Sequence, residues 1–465
     1  MNDANQFALS ARLATHIAHC EFDHLPLATV AATKRAILDG VGVMLAASGE
    51  SEDVLPFVEL ARAHGGEPQA SILGFDERVA LPMAAFANGA LAHALDFEDA
   101  FDPVPAHPNA SLLPAVLAVA EARAPIHGRE IIVAVAAGCD LVCRLALSLR
   151  QPLEFDGWYP PPILGGFGAT AAAARVLRLP AAQIIDAFSL LLCQNTCPGE
   201  IKYSPHTVIR AVREAFPAQA AVLSVLLAQR GVRGFERPLE GRSGFFNLYA
   251  GGKYEAGDLL DQLGNRYWIE QLSFKKWPCC RGTHAYIEAA QALRNLHRFD
   301  ARHIAEIRIS GGEVQRMLCE PETQKRAPHT IIDAKFSLPF TIAAALLHDE
   351  VTLSSFTRAT LEDTSLLTLA SKLRFELRED AYRHAPAGDL CIGLSDGRAL
   401  HHGVSRALGD PERPLDDVAL RAKFINCASR AARPVTPAAA ERLAERIFTL
   451  EREPDAGAAL TTHIE

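Results

Sequence analysis

No apolar run in this chain approaches the roughly 20 residues that a membrane-spanning helix needs. The longest candidates, such as Leu338–Leu347, are short enough to be core segments, so no membrane partner is expected. The opening residues MNDANQFALS lack a basic stretch leading into an apolar one. No secretory leader is therefore expected, and the expected location is the cytoplasm. Clustered basic charge is missing too: 46 Lys and Arg stand against 55 Asp and Glu, a net charge of -9. Nucleic-acid binders carry a basic patch, so no nucleic-acid partner is expected. An anionic substrate would have to find a locally basic pocket, because the overall field repels it.

The ten cysteines form no metal-ligand spacing. Cys139/Cys143 and Cys193/Cys197 are each expected to face one another on a helix, but neither pair has a second pair of Cys or His nearby. Reduced thiols are the expectation, with neither zinc nor a disulfide framework. A P-loop and a G-x-S-x-G elbow are both lacking. Gly166-Phe167-Gly168-Ala169-Thr170-Ala171 imitates a dinucleotide fingerprint, with Asp186 twenty positions beyond Gly166. Tyr159-Pro160-Pro161-Pro162 precedes it, which cannot be the central strand that such a motif requires. The glycines are better read as places of close helix packing.

What is present is 49% hydrophobic sequence over 465 residues, enough for a large core without staples. Length alone suggests about three domains. Residues 26–47 put apolar groups at three- and four-residue steps, and 110–123, 168–178 and 216–229 read the same way, the last stopping at Gly231. The pattern is a multi-helix bundle, since strand signals are too few to alternate with the helices. Near residue 270 the character changes. Residues 304–310 and 373–377 alternate as half-buried strands do, and 390–400 carries an Asp396-Gly397 hairpin turn, with His401-His402 just beyond at the surface. Residues 416–451 return to amphipathic helix. The expected architecture is mainly α: a discontinuous helical domain, 1–270 with 404–465, and a smaller α+β lid, 271–403.

Polar residues interrupt the apolar sequence at His93, Asp96 and His107; the i,i+3 step from His93 to Asp96 would put both on one helix face. Taken alone, DFEDAFD reads more readily as a solvated loop, and Lys275-Lys276 as two surface lysines.

A set of stretches in one order alters that balance. AILDGVGVMLA (36–46), ANGALAHALDFEDAF with HPN (87–109), GCDLVCRLA (138–146) and DGWYPPPILGGFGATAAAA (156–174) come first. RGVRGFERPLEGRSGFF (230–246), FKKWPCCRGTH (274–284), DAKFSLPF (333–340) and RPLDDVALRAKF (413–424) follow. The ordered set resembles the MmgE/PrpD family, which includes 2-methylcitrate dehydratase, cis-aconitate decarboxylase and iminodisuccinate epimerase. The resemblance implies a helical domain built from both chain ends, an α+β lid and a homodimer. It also implies no metal, flavin or nicotinamide cofactor. The implied chemistry removes a proton alpha to a carboxylate of a small carboxylic-acid substrate. Elimination, decarboxylation or reprotonation on the other face then follows.

On that resemblance Asp96 and His107 fall at active-site positions, and Lys275 matches an active-site lysine. Lys275 would bind a substrate carboxylate or, if burial lowers its pKa, transfer a proton. Cys280, Arg281 and His284 belong to the same motif. Some members have histidine at the Cys280 position, which would allow an acid/base role there, although a buried cytosolic cysteine is more often inert. The chain departs from the pattern in three places. Tyr159 replaces the histidine of a GWH pattern, Arg210 and Arg213 replace a lysine and a histidine, and Ala100 replaces a threonine. The catalytic set implied is Asp96, His107, Tyr159 and Lys275, with His93, Arg210, Arg213, Cys280, Arg281 and His284 for substrate. A dehydratase is the first expectation. An epimerase or an inactive helical binding protein are the alternatives that the departures leave open.

Overall fold

The computed structural model describes residues 9–104, 106–378 and 387–461. The segment 1–8, on which the expectation about a leader rests, lies outside them. The chain is mainly α, with one small mixed sheet. Its centre is a bundle in which Pro108–Ala122, Gly128–Ser148 and Pro160–Val176 pack on one another, flanked by Leu81–Ala94 and Ala215–Gln229. Prolines sit in the first turn of the helices that begin at Leu81, Pro108 and Pro160, where a missing N–H costs nothing. That is why the helix expected from residue 168 starts eight positions earlier. The glycines of the false fingerprint lie inside it. A Cβ on Gly168 would meet the Gly138 carbonyl oxygen at 2.8 Å, so two helix backbones approach closely there.

Both chain ends meet in the body: Asp417–Ala428 packs against Leu27–Glu50. The amphipathic tract 416–451 is two helices, Asp417–Ala428 and Pro437–Phe448, broken at 429–436 and capped by the side chains of Asp416 and Thr436. Pro434 and Pro437 in the break explain the interruption. A two-stranded ribbon, β1 (Ala70–Ser71) with β2 (Arg78–Val79), was not evident from the pattern. Two residues per strand are too few to alternate.

Two stretches, Gly128–Ser148 and Ile209–Gln229, are long and apolar enough to cross a bilayer by length and composition alone, which corrects the expectation that none would be. Both are mostly buried among neighbouring helices. The first hides a charge pair: Arg144 Nε donates to Asp140 at 2.5 Å. Its other donors hold the carbonyls of Leu259, Asp261 and Arg266, while the Trp268 N–H donates to Asp140. The pair thus ties 259–268 to the bundle just before the chain enters the site.

The sheet joins β3 (Ile304–Gly311), β4 (Leu373–Leu377), β5 (Gly388–Leu394) and β6 (Ala399–Val404) in the order β4-β3-β5-β6. β3 and β4 are parallel; the other pairs are antiparallel, and the Asp396-Gly397 turn connects β5 to β6. Leu390, Ile392 and Leu394 alternate inward, with His284–His297 packed over β5 and β6. His401 and His402 lie within β6, not beyond it; His401, beside Asp389, is exposed as expected, whereas His402 is half-buried. All ten cysteines are free thiols. Cys139 and Cys143 share one helix, but Cys193 caps Ala181–Leu192 and Cys197 lies beyond it, so the second pair is not a helical pair.

Candidate active site

Leu81–Ala94 ends at the loop that carries the acids. Asp96 takes φ +48, a left-handed conformation that aspartate tolerates better than most residues and that recurs at functional sites. Ala100 and Ser273 exchange backbone hydrogen bonds of 2.9 and 2.8 Å. This two-residue bridge brings two segments 173 positions apart (273 − 100) into alignment. As a result Lys275 Nζ donates to Asp96 Oδ1 at 2.5 Å and to the Asp96 carbonyl at 2.9 Å, with both side chains wholly buried. Burial pushes the Asp96 carboxyl up, but Lys275 and the histidines outweigh it and hold it below its ordinary value. Burial likewise pushes Lys275 down, and Asp96 with Glu98 more than reverses this. Lys275 is therefore an ammonium, which corrects the option that burial frees it to exchange a proton.

Burial does lower another lysine at this place, Lys335, brought to about 8. It donates to the carbonyls of Leu95 and Pro278, each at 2.8 Å, and so clamps the residue before Asp96 to the segment that carries Cys280. From the helix Asp417–Ala428 Lys423 does similar work, donating to the carbonyls of Phe97 and Lys275 and pairing with Asp39 at 2.7 Å.

Glu98 sits between two histidines. His93 Nδ1 hydrogen-bonds its Oε1, and His107 Nδ1 lies 3.0 Å from the same oxygen. The two rings are 5.0 Å apart. Burial, with Arg213 adding, pushes His93 down to about 3, so its contacts with Glu98 and Asp96 are made by a neutral ring. Glu98 is held well below its ordinary range: burial raises it, and His93, Lys275 and His107 overcome that. His93, Asp96, Glu98 and His107 offer ligand atoms within 4.8 Å of one another, a set able to hold a divalent cation. The Lys275 ammonium on Asp96 supplies positive charge at the same place.

The basic wall comes from the other side. Arg210 lies over the Phe336 ring at 3.4 Å and Arg213 over Tyr159 at 5.0 Å. Among the described residues, Arg210 Nε and Arg213 Nη2 are buried with no hydrogen-bond acceptor. Arg213 is also paired with Glu214 at 3.0 Å. Buried donors of this kind are costly unless an acceptor reaches them, and a carboxylate matches a guanidinium fork. Burial, with Asp96 adding, pushes the Cys280 thiol up to about 11, opposed by Arg210 and Lys275.

The structure brings together Asp96, His93, His107, Lys275, Cys280, Arg210, Arg213 and Tyr159. Arg281 and His284 are committed elsewhere. Arg281 pairs with Asp102 at 3.1 Å and donates to the Leu408 carbonyl. His284 faces Arg281 through Nδ1 and the Cys279 carbonyl through Nε2. With both ring nitrogens engaged and burial holding it well below its ordinary pKa, His284 buttresses Arg281. This corrects the expectation that the two contact substrate. Sequence reasoning did not single out Glu98, Asp99, Lys335, Asp39 or Lys423, although each lies in a quoted stretch. A charge inside an apolar helical run, as at Asp39, was the available signal.

Asp99 supports a test of this network. Burial, with Asp39 and Glu98 adding, raises it to about 7. A raised carboxyl favours the folded state below about pH 4, and that contribution is lost as pH rises toward 7. Asp99→Asn, which keeps an oxygen for Asn109, is expected to stabilise the fold at pH 8 by on the order of 2 kcal/mol. It should also flatten stability between pH 4 and 7, read by urea unfolding across that range.

Two family models match the chain: the MmgE/PrpD N-terminal domain over residues 11–256 and the MmgE/PrpD C-terminal domain over 277–449. Cis-aconitate decarboxylase of Mus musculus is 26% identical over 433 residues, covering 88% of this chain and 84% of the relative. The Homo sapiens protein of that name is 24% identical over 437 residues, 91% and 88% of the two chains. That of Aspergillus terreus is 23% identical over 413 residues, 84% and 83%.

Proposed function

The chain belongs to the MmgE/PrpD family, and from that premise we propose a cofactor-independent lyase that removes the alpha proton of a small di- or tricarboxylate, with dehydration as its first reaction. Its relatives support an enzyme of the dehydratase or decarboxylase type. One observation carries the finer reading. A wholly buried ammonium, Lys275 on Asp96, lies beside a histidine held on Glu98, and the neighbouring guanidinium groups have buried donors without acceptors.

In this reading Arg210 and Arg213 grip one carboxylate of the substrate. His107 Nε2 takes the proton from the carbon alpha to a second carboxylate. The electron pair left behind becomes enolate-like charge on that carboxylate, and Lys275 stabilises it. Collapse of the pair forms the carbon–carbon double bond as the hydroxyl on the next carbon leaves as water. The hydroxyl takes its proton from Tyr159 or Cys280. A thiol pushed up to about 11 stays protonated, which makes Cys280 a donor and not a nucleophile. The relatives' names favour a second reading on the same residues, loss of carbon dioxide from an unsaturated tricarboxylate.

A panel of citrate-like, aconitate-like and aminodicarboxylate compounds, followed by NMR, separates the readings. Dehydration yields a new unsaturated acid with ultraviolet absorbance, decarboxylation releases carbon dioxide, and epimerisation changes optical rotation alone. Folded protein that leaves the whole panel unaltered would count against the proposal and for the binding protein.

A further inference from the structure

The Nδ1 atom of His107 faces two acceptors at once: the Asp99 carbonyl oxygen at 2.9 Å and Glu98 Oε1 at 3.0 Å. A carbonyl cannot donate, so Nδ1 must carry the hydrogen, and the lone pair of the neutral ring lies on Nε2. The same Oε1 takes the Nδ1 hydrogen of His93, whose ring is wholly buried. One carboxylate oxygen thus seats two imidazoles, their centres 5.0 Å apart and their planes inclined by 58°. The His93 ring is held by Glu98 through Nδ1, and its buried Nε2 has no hydrogen-bond partner among the described residues. His107 is the more open of the two, with 15% of its side chain exposed.

We infer that Glu98 is the positioning residue of the reaction: it holds His107 by Nδ1 so that Nε2 is the atom offered to substrate, and its charge stabilises the imidazolium formed when that atom takes a proton. The arrangement has the logic of a base oriented by a third group. His93 is the brace that stops the Glu98 carboxylate from rotating away. The inference rests on His107 as the base, but its structural half does not depend on which substrate is used.

The test uses Glu98→Gln and Glu98→Asp in the full chain. A hydrogen shared between imidazole Nδ1 and a carboxylate gives a low-field proton resonance in water. The unaltered protein is expected to show it, and His107→Gln assigns which signal belongs to which ring. Glu98→Gln should move the His107 signal upfield and lower kcat by about 10²–10⁴-fold, with KM changed less than about threefold. Glu98→Asp, which restores the charge on a shorter arm, should recover part of both. An unaltered protein without the low-field signal, or a Glu98→Gln enzyme that keeps its kcat, overturns the inference. If Glu98→Gln does not fold, the spectrum of the unaltered protein and the Glu98→Asp rate decide it. If no compound of the proposed class is turned over, the resonance still tests the geometry, so the two failures are distinguishable.

Discussion

Replacing His107 by alanine is expected to lower turnover by about 10³-fold, the usual worth of a positioned base. The proposed roles put the loss in kcat, because there His107 acts on the bond that breaks and the substrate carboxylate is assigned to Arg210 and Arg213, whose buried donors lack acceptors among the described residues. Stability should change by only about 1 kcal/mol. The ring is partly exposed, and Glu98, which loses one donor, keeps His93. Steady-state kinetics beside a thermal melt checks both halves. A variant that melted as before and kept its rate would remove His107 from the chemistry.

Lys275→Ala is expected to fail differently. It leaves Asp96 wholly buried without its counter-charge, and breaking such a pair costs about 3–5 kcal/mol. Loss of activity in that variant alone would therefore say little about mechanism. The pair Lys275→Met with Asp96→Asn removes both charges at nearly constant volume, and chemical unfolding should show most of the stability restored. Turnover should remain about 10²–10³-fold down if Lys275 has the proposed role of stabilising the developing negative charge. A double variant that regained activity along with stability would make the ion pair purely structural.

The large features were legible because they are periodic. Helices such as 27–50 and 215–229 announce themselves by apolar spacing, and the Asp396-Gly397 hairpin by its turn chemistry. Charge buried by pairing was not legible. Gly128–Ser148 hides Asp140 and Arg144 against each other, and two charges in the sequence mask a long apolar helix. Asp96, His107 and Lys275 were picked out by resemblance, and the Ala100–Ser273 bridge that aligns them has no sequence signal at all. Glu98 looked like one more acid in a solvated run until the fold placed two histidines on one of its oxygens. Lys335 and Lys275 show the same limit from the other side. Both are buried lysines, yet one is lowered and one raised. The difference is a carboxylate partner that only the tertiary structure supplies.

The central claim is that residues from distant parts of the chain meet to move a hydrogen on an organic anion, and isotope wash-in tests it most directly. The active compound from the panel is carried to equilibrium with the protein in deuterated water, and carbon-bound deuterium is read by NMR. Substrate or product should gain deuterium at the carbon alpha to a carboxylate with the unaltered protein, and His107→Ala should leave that carbon unlabelled on the same timescale. Complete turnover with no deuterium on that carbon, or equal labelling by the His107→Ala variant, would contradict the account.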